Sequence, residues 1–277
     1  MKRVFCIVLS IVLICILFSG CAKPAQQAGP VLTVCGFSLG KADAFLFTVD
    51  GTSFLIDTGE KGDGKTILAR LQELGFTSLD YLLITHFDKD HVGGAARVLN
   101  DFDVKHVLQS NSPKDGEQYE KYLKALQAKS IEPVTVTDVT VIELGGVTYT
   151  VYPPQQTAYD EDASNNSSLI VAVEYGQTRM LFTGDAAQAR LTEFCALQTG
   201  TFSLVKMPHH GSYYDALPAL LDAAQPEYAV VTDSAEEPWD DQTRTLLSRR
   251  NITTYLTRSA PVIITTDGET LDVRNAS

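Results

Sequence analysis

The chain has 277 residues, 44% of them hydrophobic, and a formal net charge of −12 at pH 7. This length fits one large α/β domain, because such domains run to about 250 residues as a single unit. The acidic charge argues against stable non-specific binding to nucleic acid, which requires basic surface patches.

The first twenty residues have the composition of a targeting segment. Lys2 and Arg3 precede a largely apolar run over residues 4–18, and the small residues Ser19 and Gly20 follow it. This order of a cationic, an apolar and a small-residue region predicts a signal peptide over residues 1–20. Removing it would take away two cations and no acid, which lowers the net charge from −12 to −14.

A cysteine directly after small residues resembles the bacterial lipoprotein cleavage site, which implies lipidation of Cys21. Residues 21–30 are rich in proline, glycine and glutamine, a composition typical of a linker. We therefore predict an extracytoplasmic domain held at the membrane by a lipid anchor and a short tether. An uncleaved membrane anchor and ordinary secretion are the two alternatives; the short apolar run argues against the first.

The densest group of metal-binding side chains lies in residues 84–94. Two imidazoles and two carboxylates fall within six residues there, directly after the apolar run 79–84, which predicts a buried strand: His86, Asp88, Asp90 and His91. Imidazole nitrogen and carboxylate oxygen together suit Zn²⁺, Mn²⁺ or Fe²⁺, and no cysteine stands nearby to make a structural thiolate site. The pattern predicts an open, catalytic metal site.

Three further segments place polar residues next to predicted strands. An Asp50-Gly51 turn joins two apolar stretches into a hairpin that ends at Asp57. The strand 180–182 is followed by Asp185, and a short strand near residue 205 is followed by His209 and His210. Side chains held at strand ends are rigid enough to bind a cation.

In their order, these four motifs resemble those of the metallo-β-lactamase superfamily, with Asp88 in place of the second histidine of its His-x-His-x-Asp-His signature. The His-x-Asp-x-Asp-His form looks like the hydrolase domain of the ComEC-type competence proteins. So do the pair Asn165-Asn166 with Ser168, and His209-His210-Gly211-Ser212. The resemblance covers residues 32 to 273 and implies, for residues 31–277, an αββα sandwich of two mixed sheets flanked by helices.

The resemblance also implies a centre for two divalent ions, Zn²⁺ or Mn²⁺. One ion would be bound by His86, Asp88 and Asp185, and the other by Asp90, His91, Asp185 and His209. Further candidates to bind metal or substrate are Asn165, Asn166, Ser168 and Ser212. Asp43 and Asp57 are expected to orient the ligands by hydrogen bonds. Asp90, Asp185 and His210 are the expected catalytic residues, and His210 is the one expected to face the substrate.

Hydrolysis is the reaction that such a pair of ions supports. The leading hypothesis is a phosphodiesterase or nuclease-like activity; the alternatives are hydrolysis of a cyclic amide, ester or thioester, and a binding lipoprotein with a relic metal site. Oxygen ligands at the first ion favour Mn²⁺ over Zn²⁺. Six lysines are candidates to line the mouth of the site: Lys41, Lys61, Lys65, Lys89, Lys114 and Lys206. The sequence specifies neither the substrate nor an oligomeric state.

The remaining segments predict alternating strands and helices. Helices are predicted over residues 66–74, 116–129, 186–197, 215–224 and 241–249. Residues 152–167 are polar and predict a long loop on the substrate side. Cys35, in an apolar strand, and Cys195, on a helix, are expected to be buried free thiols.

Overall fold

The computed structural model describes residues 29–276, and these residues form two β-sheets packed face to face. The first sheet has eight strands, antiparallel from β15 to β3 and parallel from β3 to β6. In spatial order they are β15 (Leu271–Asn275), β14 (Val262–Thr266), β1 (Leu32–Gly36), β2 (Phe45–Val49), β3 (Thr52–Ile56), β4 (Ser78–Ile84), β5 (Asp103–Gln109) and β6 (Val134–Thr135).

The second sheet has seven strands and is also mixed. It is parallel from β13 to β10 and antiparallel from β10 to β7. In spatial order the strands are β13 (Thr253–Leu256), β12 (Tyr228–Val231), β11 (Leu204–Lys206), β10 (Thr178–Phe182), β9 (Ile170–Tyr175), β8 (Val147–Tyr152) and β7 (Thr140–Leu144).

The core between the sheets follows from the two-residue period of the strands. Phe45 and Phe47 of β2 point toward the second sheet, where both rings pack edge-on against Phe182, with ring centroids 5.1 and 4.9 Å apart. Leu46, between them, points to the opposite face and joins the layer of helices. Because both of its faces are covered, β2 is apolar at four of its five positions.

Helices cover both outer faces. Those beside the first sheet are α1 (Gly64–Glu73), α2 (Lys89–Val92), α3 (Ala95–Asp101) and α4 (Glu117–Lys129). Those that follow strands of the second sheet are α5 (Ala163–Asn166), α6 (Gln188–Ala196), α7 (Leu217–Ala224) and α8 (Asp241–Arg249); α6, α7 and α8 cover its outer face. The predicted αββα sandwich of two mixed sheets is confirmed. None of the described helices is long and apolar enough to span a membrane.

Local details differ from the predictions at a few points. The Asp50-Gly51 hairpin turn is present, with both residues at positive φ (46° and 74°). The helix predicted from residue 215 begins at Leu217, because Pro218 fits only the first turn of a helix. The loop over residues 152–167 contains one helical turn, α5. The predicted signal peptide and most of the tether lie outside the described residues.

The parallel strands determine where polar residues gather. The loops that follow β3, β4 and β10 meet at one edge of the sandwich, as do those that follow β11 and β12. Hydrogen bonds or ion pairs join Asp57 to Thr85, His91 to Asp185, and His210 to Thr232 across these loops. The candidate site lies at this edge.

Candidate metal centre

The loop after β4 places His86 and His91 side by side. Thr85 and His86 continue the strand, and the short helix α2 turns Asp90 and His91 back toward it. The two imidazole rings lie 4.2 Å apart between centroids. The loop after β3 holds this arrangement, because the Thr58 amide and hydroxyl both donate to the His91 carbonyl oxygen at 2.8 Å.

Gly94 is required for this contact between the loops. A Cβ atom at that position would lie 2.2 Å from the Thr58 carbonyl oxygen and 2.9 Å from the Gly64 nitrogen. A side chain there would push the loop after β3 away from α2. The Gly93-Gly94 pair of the sequence motif thus serves packing rather than chemistry.

The second half of the fold contributes Asp185 and the histidine pair. Asp185 follows β10, and its amide donates to the Ser168 hydroxyl at 3.2 Å. His209 and His210 stand in a tight turn after β11, and both have left-handed backbone conformations, with φ of 43° and 55°. Because two consecutive residues have left-handed backbone conformations, their side chains point in different directions.

Three imidazoles and two carboxylates converge at the centre. Asp185 Oδ2 lies 3.0 Å from His210 Nε2, 3.1 Å from His91 Nε2 and 4.0 Å from His86 Nε2. Asp90 Oδ2 lies 3.4 Å from His210 Nε2. All five side chains are buried, and none is more than 8% exposed.

The converging atoms do not satisfy one another. The Nε2 atoms of all three imidazoles and Asp185 Oδ1 are buried without a hydrogen-bond partner among the described residues. The nitrogen–oxygen distances are short, but the geometry does not form hydrogen bonds, as happens when ligand atoms face a shared point. Buried polar groups left unpaired are costly, so these residues fit a bound cation.

Two overlapping ligand sets have the spacing for a divalent ion. One consists of His86, His91 and Asp185, and the other of Asp90, His91 and His210. A third group with this spacing consists of Asp43, Asp57 and His91 Nδ1. Its carboxylate oxygens already have partners in Thr85, Thr232 and Lys206. Nitrogen and oxygen ligands of this kind suit Zn²⁺, Mn²⁺ or Fe²⁺.

Asp57 orients two of the imidazoles. It accepts the His91 Nδ1 proton at 2.8 Å and hydrogen bonds from the Thr85 amide and hydroxyl at 2.8 and 2.7 Å. Because the Thr85 hydroxyl donates to Asp57, its oxygen is left to accept from His86 Nδ1 at 3.1 Å. In their neutral, metal-binding form, both rings therefore carry their proton on Nδ1 and present the Nε2 lone pair to the centre.

The electrostatics of the centre change with cation binding. Burial lowers the pKa of His86 to about 4. Burial also disfavours the protonated form of His210, but Asp185, Asp43 and Asp90 outweigh it and raise its pKa to about 10. Without a cation, His210 holds a proton among the carboxylates. Metal binding must release that proton, so metal affinity is expected to fall as the pH falls.

The order of the histidine pair is opposite to the expected one. His210 Nε2 points into the cluster, whereas His209 is half-buried and lines the adjoining cleft. His209 Nδ1 lies 2.5 Å from the Tyr214 hydroxyl, and its Nε2 lies 3.5 Å from the Asn165 amide nitrogen. The expectation that His209 binds metal and His210 faces substrate is corrected by this geometry, which follows from the two left-handed residues in the turn.

Asp88 lies at the margin of the cluster. Its Oδ1 is 3.9 Å from His86 Nε2, and it pairs with Lys114 Nζ at 2.5 Å and with the Ser164 hydroxyl. It belongs to neither ligand set with the spacing for a cation. The expected first-ion ligand set is therefore less complete in the structure than the second.

The candidate residues from the loop before β9 differ in what their polar atoms contact. Asn165 Oδ1 is buried, has no hydrogen-bond partner in the described part of the chain, and lies beside the centre. Asn166 is not free to bind an ion, since its amide donates to the Glu161 carbonyl and accepts from the Arg190 backbone. Ser168 supports the Asp185 backbone, and the Ser212 amide closes the histidine turn by donating to the His209 carbonyl.

A cleft of about 520 Å³ opens beside the cluster. Three of the six candidate lysines line it, namely Lys41, Lys89 and Lys114, together with the aromatic rings of Phe87 and Tyr119. Lys61 and Lys65 are exposed on the surface outside it. Cys35 and Cys195 form no disulfide within the described residues, as predicted; Cys35 is buried, whereas Cys195 is only half-buried.

Lys206 was expected at the mouth and is instead buried, at 1% exposure. It forms an ion pair with Asp43 and donates to the Gly184 carbonyl at 3.0 Å. Burial opposes ionisation of Asp43, but Lys206 outweighs it and lowers the pKa of that carboxyl to about 2. The two-residue period of β11 was the available signal, because it places Lys206 on the same inner face as Leu204.

The comparisons with known proteins agree with this geometry. The Metallo-beta-lactamase superfamily matches residues 38–231, and the chain belongs to that superfamily. The chain is 26% identical over 237 residues to Recombination protein 2 of Haemophilus influenzae, covering 83% of this chain and 27% of that protein. It is 29% identical over 172 residues to ComE operon protein 3 of Bacillus subtilis, covering 61% and 22%.

The chain spans about a quarter of the length of these curated relatives. The matches to these two proteins confirm the resemblance to the ComEC-type domain. Among solved structures, the metallo-beta-lactamase fold protein YhfI from Bacillus subtilis superimposes with a TM-score of 0.60 at 11% identity, covering 86% of this chain and 100% of that one. A CmlA beta-hydroxylase superimposes with a TM-score of 0.56 at 18% identity, covering 88% and 54%. These two likenesses support the fold.

Proposed function

We propose that this protein is an extracytoplasmic metal-dependent hydrolase that cleaves phosphodiester bonds. The observation that carries the proposal is the convergence of three buried Nε2 atoms on Asp185, none of which has a hydrogen-bond partner within residues 29–276. Membership of the metallo-beta-lactamase superfamily agrees with metal-dependent hydrolysis.

The residues divide into two binding sites that share Asp185. Asp90, His91, Asp185 and His210 would hold one ion; His86 and Asp185, with Asp88 at the edge, would hold the other. Bound divalent ions supply an activated water and polarise a phosphoryl oxygen. Asp185 can serve both sites because its Oδ2 faces all three imidazoles, at 3.0 to 4.0 Å.

The cleft supplies the groups that would bind an anionic substrate. Lys41 spans Asp90 Oδ2 at 3.6 Å and Glu237 at 3.0 Å, which fixes its ammonium beside the centre. Lys114 stands across from it, paired with Asp88. Because five carboxylates line the same cleft, the lysines do not make it positive on their own. Bound divalent ions would reverse the local field, and they favour a phosphodiester over a neutral lactam or ester.

His209 is the side chain placed to donate a hydrogen bond to the reacting group. Burial lowers its pKa, so the ring is neutral at neutral pH and carries one proton. When the Tyr214 hydroxyl donates to Nδ1 and the Asn165 amide nitrogen, now 3.5 Å from Nε2, turns away, that proton is on Nε2, at the wall of the cleft. A donor held in this way stabilises an oxyanion or a leaving group.

The first test is hydrolysis of bis(p-nitrophenyl) phosphate by the full chain purified in detergent, stripped of metal and reloaded. Because carboxylate oxygens contribute to both sites, we expect more activity with Mn²⁺ than with Zn²⁺. Asp88→His should move the preference toward Zn²⁺, and Asp115→His, also in the cleft wall, should not. Cleavage of lactams or esters with Zn²⁺, and of no phosphodiester with either ion, would overturn the proposed substrate class.

The location is proposed from the sequence alone, since residues 1–28 lie outside the described part of the chain. If Cys21 carries the lipid, Cys21→Ser should move the protein from the membrane fraction of its host to the medium or periplasm. Lipid anchoring scales with the number of buried methylenes, so two or more acyl chains hold a protein stably. Cys195→Ser is the matched control and should stay in the membrane fraction. Mass spectrometry showing an unmodified Cys21 would refute the lipid anchor without affecting the proposed enzyme.

A further inference from the structure

Lys206 is a buried cation that contacts no substrate-facing surface. Its Nζ pairs with Asp43 Oδ2, donates to the Gly184 carbonyl oxygen at 3.0 Å, and lies 3.6 Å from Asp185 Oδ1. Asp43 is 2% exposed. Burying a charged pair is costly unless further hydrogen bonds complete it, so the partners of Asp43 are informative.

The hydrogen bonds beyond Asp43 can be assigned a direction. A carboxylate only accepts, so the Thr232 hydroxyl donates to Asp43 Oδ1, at 2.5 Å. Because the hydroxyl proton of Thr232 is used in that bond, its oxygen accepts from His210 Nδ1, at 3.2 Å. In its neutral, metal-binding form His210 therefore carries its proton on Nδ1 and leaves Nε2, which lies 3.4 Å from Asp90 Oδ2 and 3.0 Å from Asp185 Oδ2, free for a cation.

The same arrangement occurs a second time in the centre. Asp57, Thr85 and His86 are linked by the same sequence of carboxylate, hydroxyl and imidazole. There the carboxylate is fixed by the backbone amide of Thr85. On the His210 side, the carboxylate of Asp43 is fixed by the Lys206 ammonium instead. The two relays thus orient the two outer imidazoles by different anchors.

We propose that Lys206 and Thr232 are positioning residues for the cation site, acting through Asp43 to fix the His210 ring and the tautomer in which its Nε2 is free to bind metal. The inference rests on the proposed metal-dependent function. Neither side chain reaches the cleft, so their effect is expected on metal affinity first and on turnover only as a consequence.

The test measures the dissociation constants of the full chain for Zn²⁺ and for Mn²⁺ by competition with a chelator. Thr232→Val keeps the side-chain shape and removes the hydroxyl. We expect it to weaken binding of the tighter ion about 10-fold or more, because loss of a group that orients a metal-binding histidine costs about 10- to 100-fold. Thr232→Ser restores the hydroxyl and should bring the constant back to within about threefold of the wild type.

Thr243→Val is the matched control. Thr243 is also fully buried, but its hydroxyl has no partner among the described residues and lies on α8, away from the centre. It should leave metal affinity unchanged. Lys206→Met should weaken metal binding at least as much as Thr232→Val. The variant with both changes should bind metal no more than about threefold more weakly than Lys206→Met alone, because both changes break one relay.

Each outcome decides the proposal. Wild-type affinity in Thr232→Val, no rescue by Thr232→Ser, or an equal loss in Thr243→Val would each overturn the relay while leaving the metal site intact. If Lys206→Met fails to fold, the Thr232 pair still decides. A wild-type chain that binds neither ion would refute the proposed function itself, and the relay with it.

Discussion

Asp185→Asn is expected to abolish turnover and to weaken binding of both ions. Of the carboxylates that the structure describes, Asp185 alone faces all three Nε2 atoms, at 3.0 to 4.0 Å. Asparagine keeps its volume but removes the charge and one of the two ligand oxygens. We expect the rate of phosphodiester cleavage to fall roughly 10³-fold or more, on the scale measured for loss of essential catalytic groups. Metal content per chain and initial rates are the two measurements.

The control for this variant is Asp222→Asn, on the surface. Asp222 pairs with Arg250 and its side chain is 67% exposed, so its loss should change neither metal content nor rate. If Asp185→Asn kept both ions and a rate near that of the wild type, Asp185 would not bridge the sites, and the assignment of the centre would be wrong.

His210→Ala and His209→Ala are expected to separate metal binding from catalysis. Because His210 Nε2 faces Asp90 and Asp185, His210→Ala should lose the ion bound there and the activity with it. His209 lines the cleft with its Nδ1 held by Tyr214. His209→Ala should keep its metal and lose about 10²-fold in rate, the scale of one oxyanion donor or general acid.

Elemental analysis and rates on the same preparations check this pair. The two variants are matched controls for each other, since they remove the same group from neighbouring positions of one turn. Loss of metal in His209→Ala with retention in His210→Ala would restore the order of roles expected from the sequence and contradict the structural assignment.

The sequence predicts the fold and the location of the site because both depend on strand ends. Apolar runs bounded by turns mark the strands, and polar residues that follow them must gather where parallel strands end. His86, His91 and Asp185 each follow a strand directly or within a few residues. Their convergence therefore follows from topology, which the order of the motifs indicates.

The order of the histidine pair could not be predicted in this way. Spacing alone does not show that His209 and His210 both adopt left-handed conformations, and these conformations decide which ring enters the cluster. The Asp88–Lys114 contact joins residues 26 positions apart in different loops, and no local pattern indicates it. Such contacts depend on how loops pack after the strands are in place.

The positions of Lys206 and Thr232 in the sequence indicate that both side chains are buried, which the prediction for Lys206 missed. Each lies two residues beyond an inward-facing residue of its strand, Leu204 and Val230 respectively. The two-residue period therefore directs both side chains between the sheets. A lysine at such a position must have a buried partner, which is the role that Asp43 fills.

The most direct test of the central claim is anomalous diffraction from crystals of the protein grown with Zn²⁺ or Mn²⁺. We predict a peak bonded to His91 Nε2, His210 Nε2, Asp90 and Asp185, and a second peak that shares Asp185 and is bonded to His86 Nε2. Metal bound elsewhere on the chain with no peak at this cluster, or a peak bonded to His209 in place of His210, would contradict it.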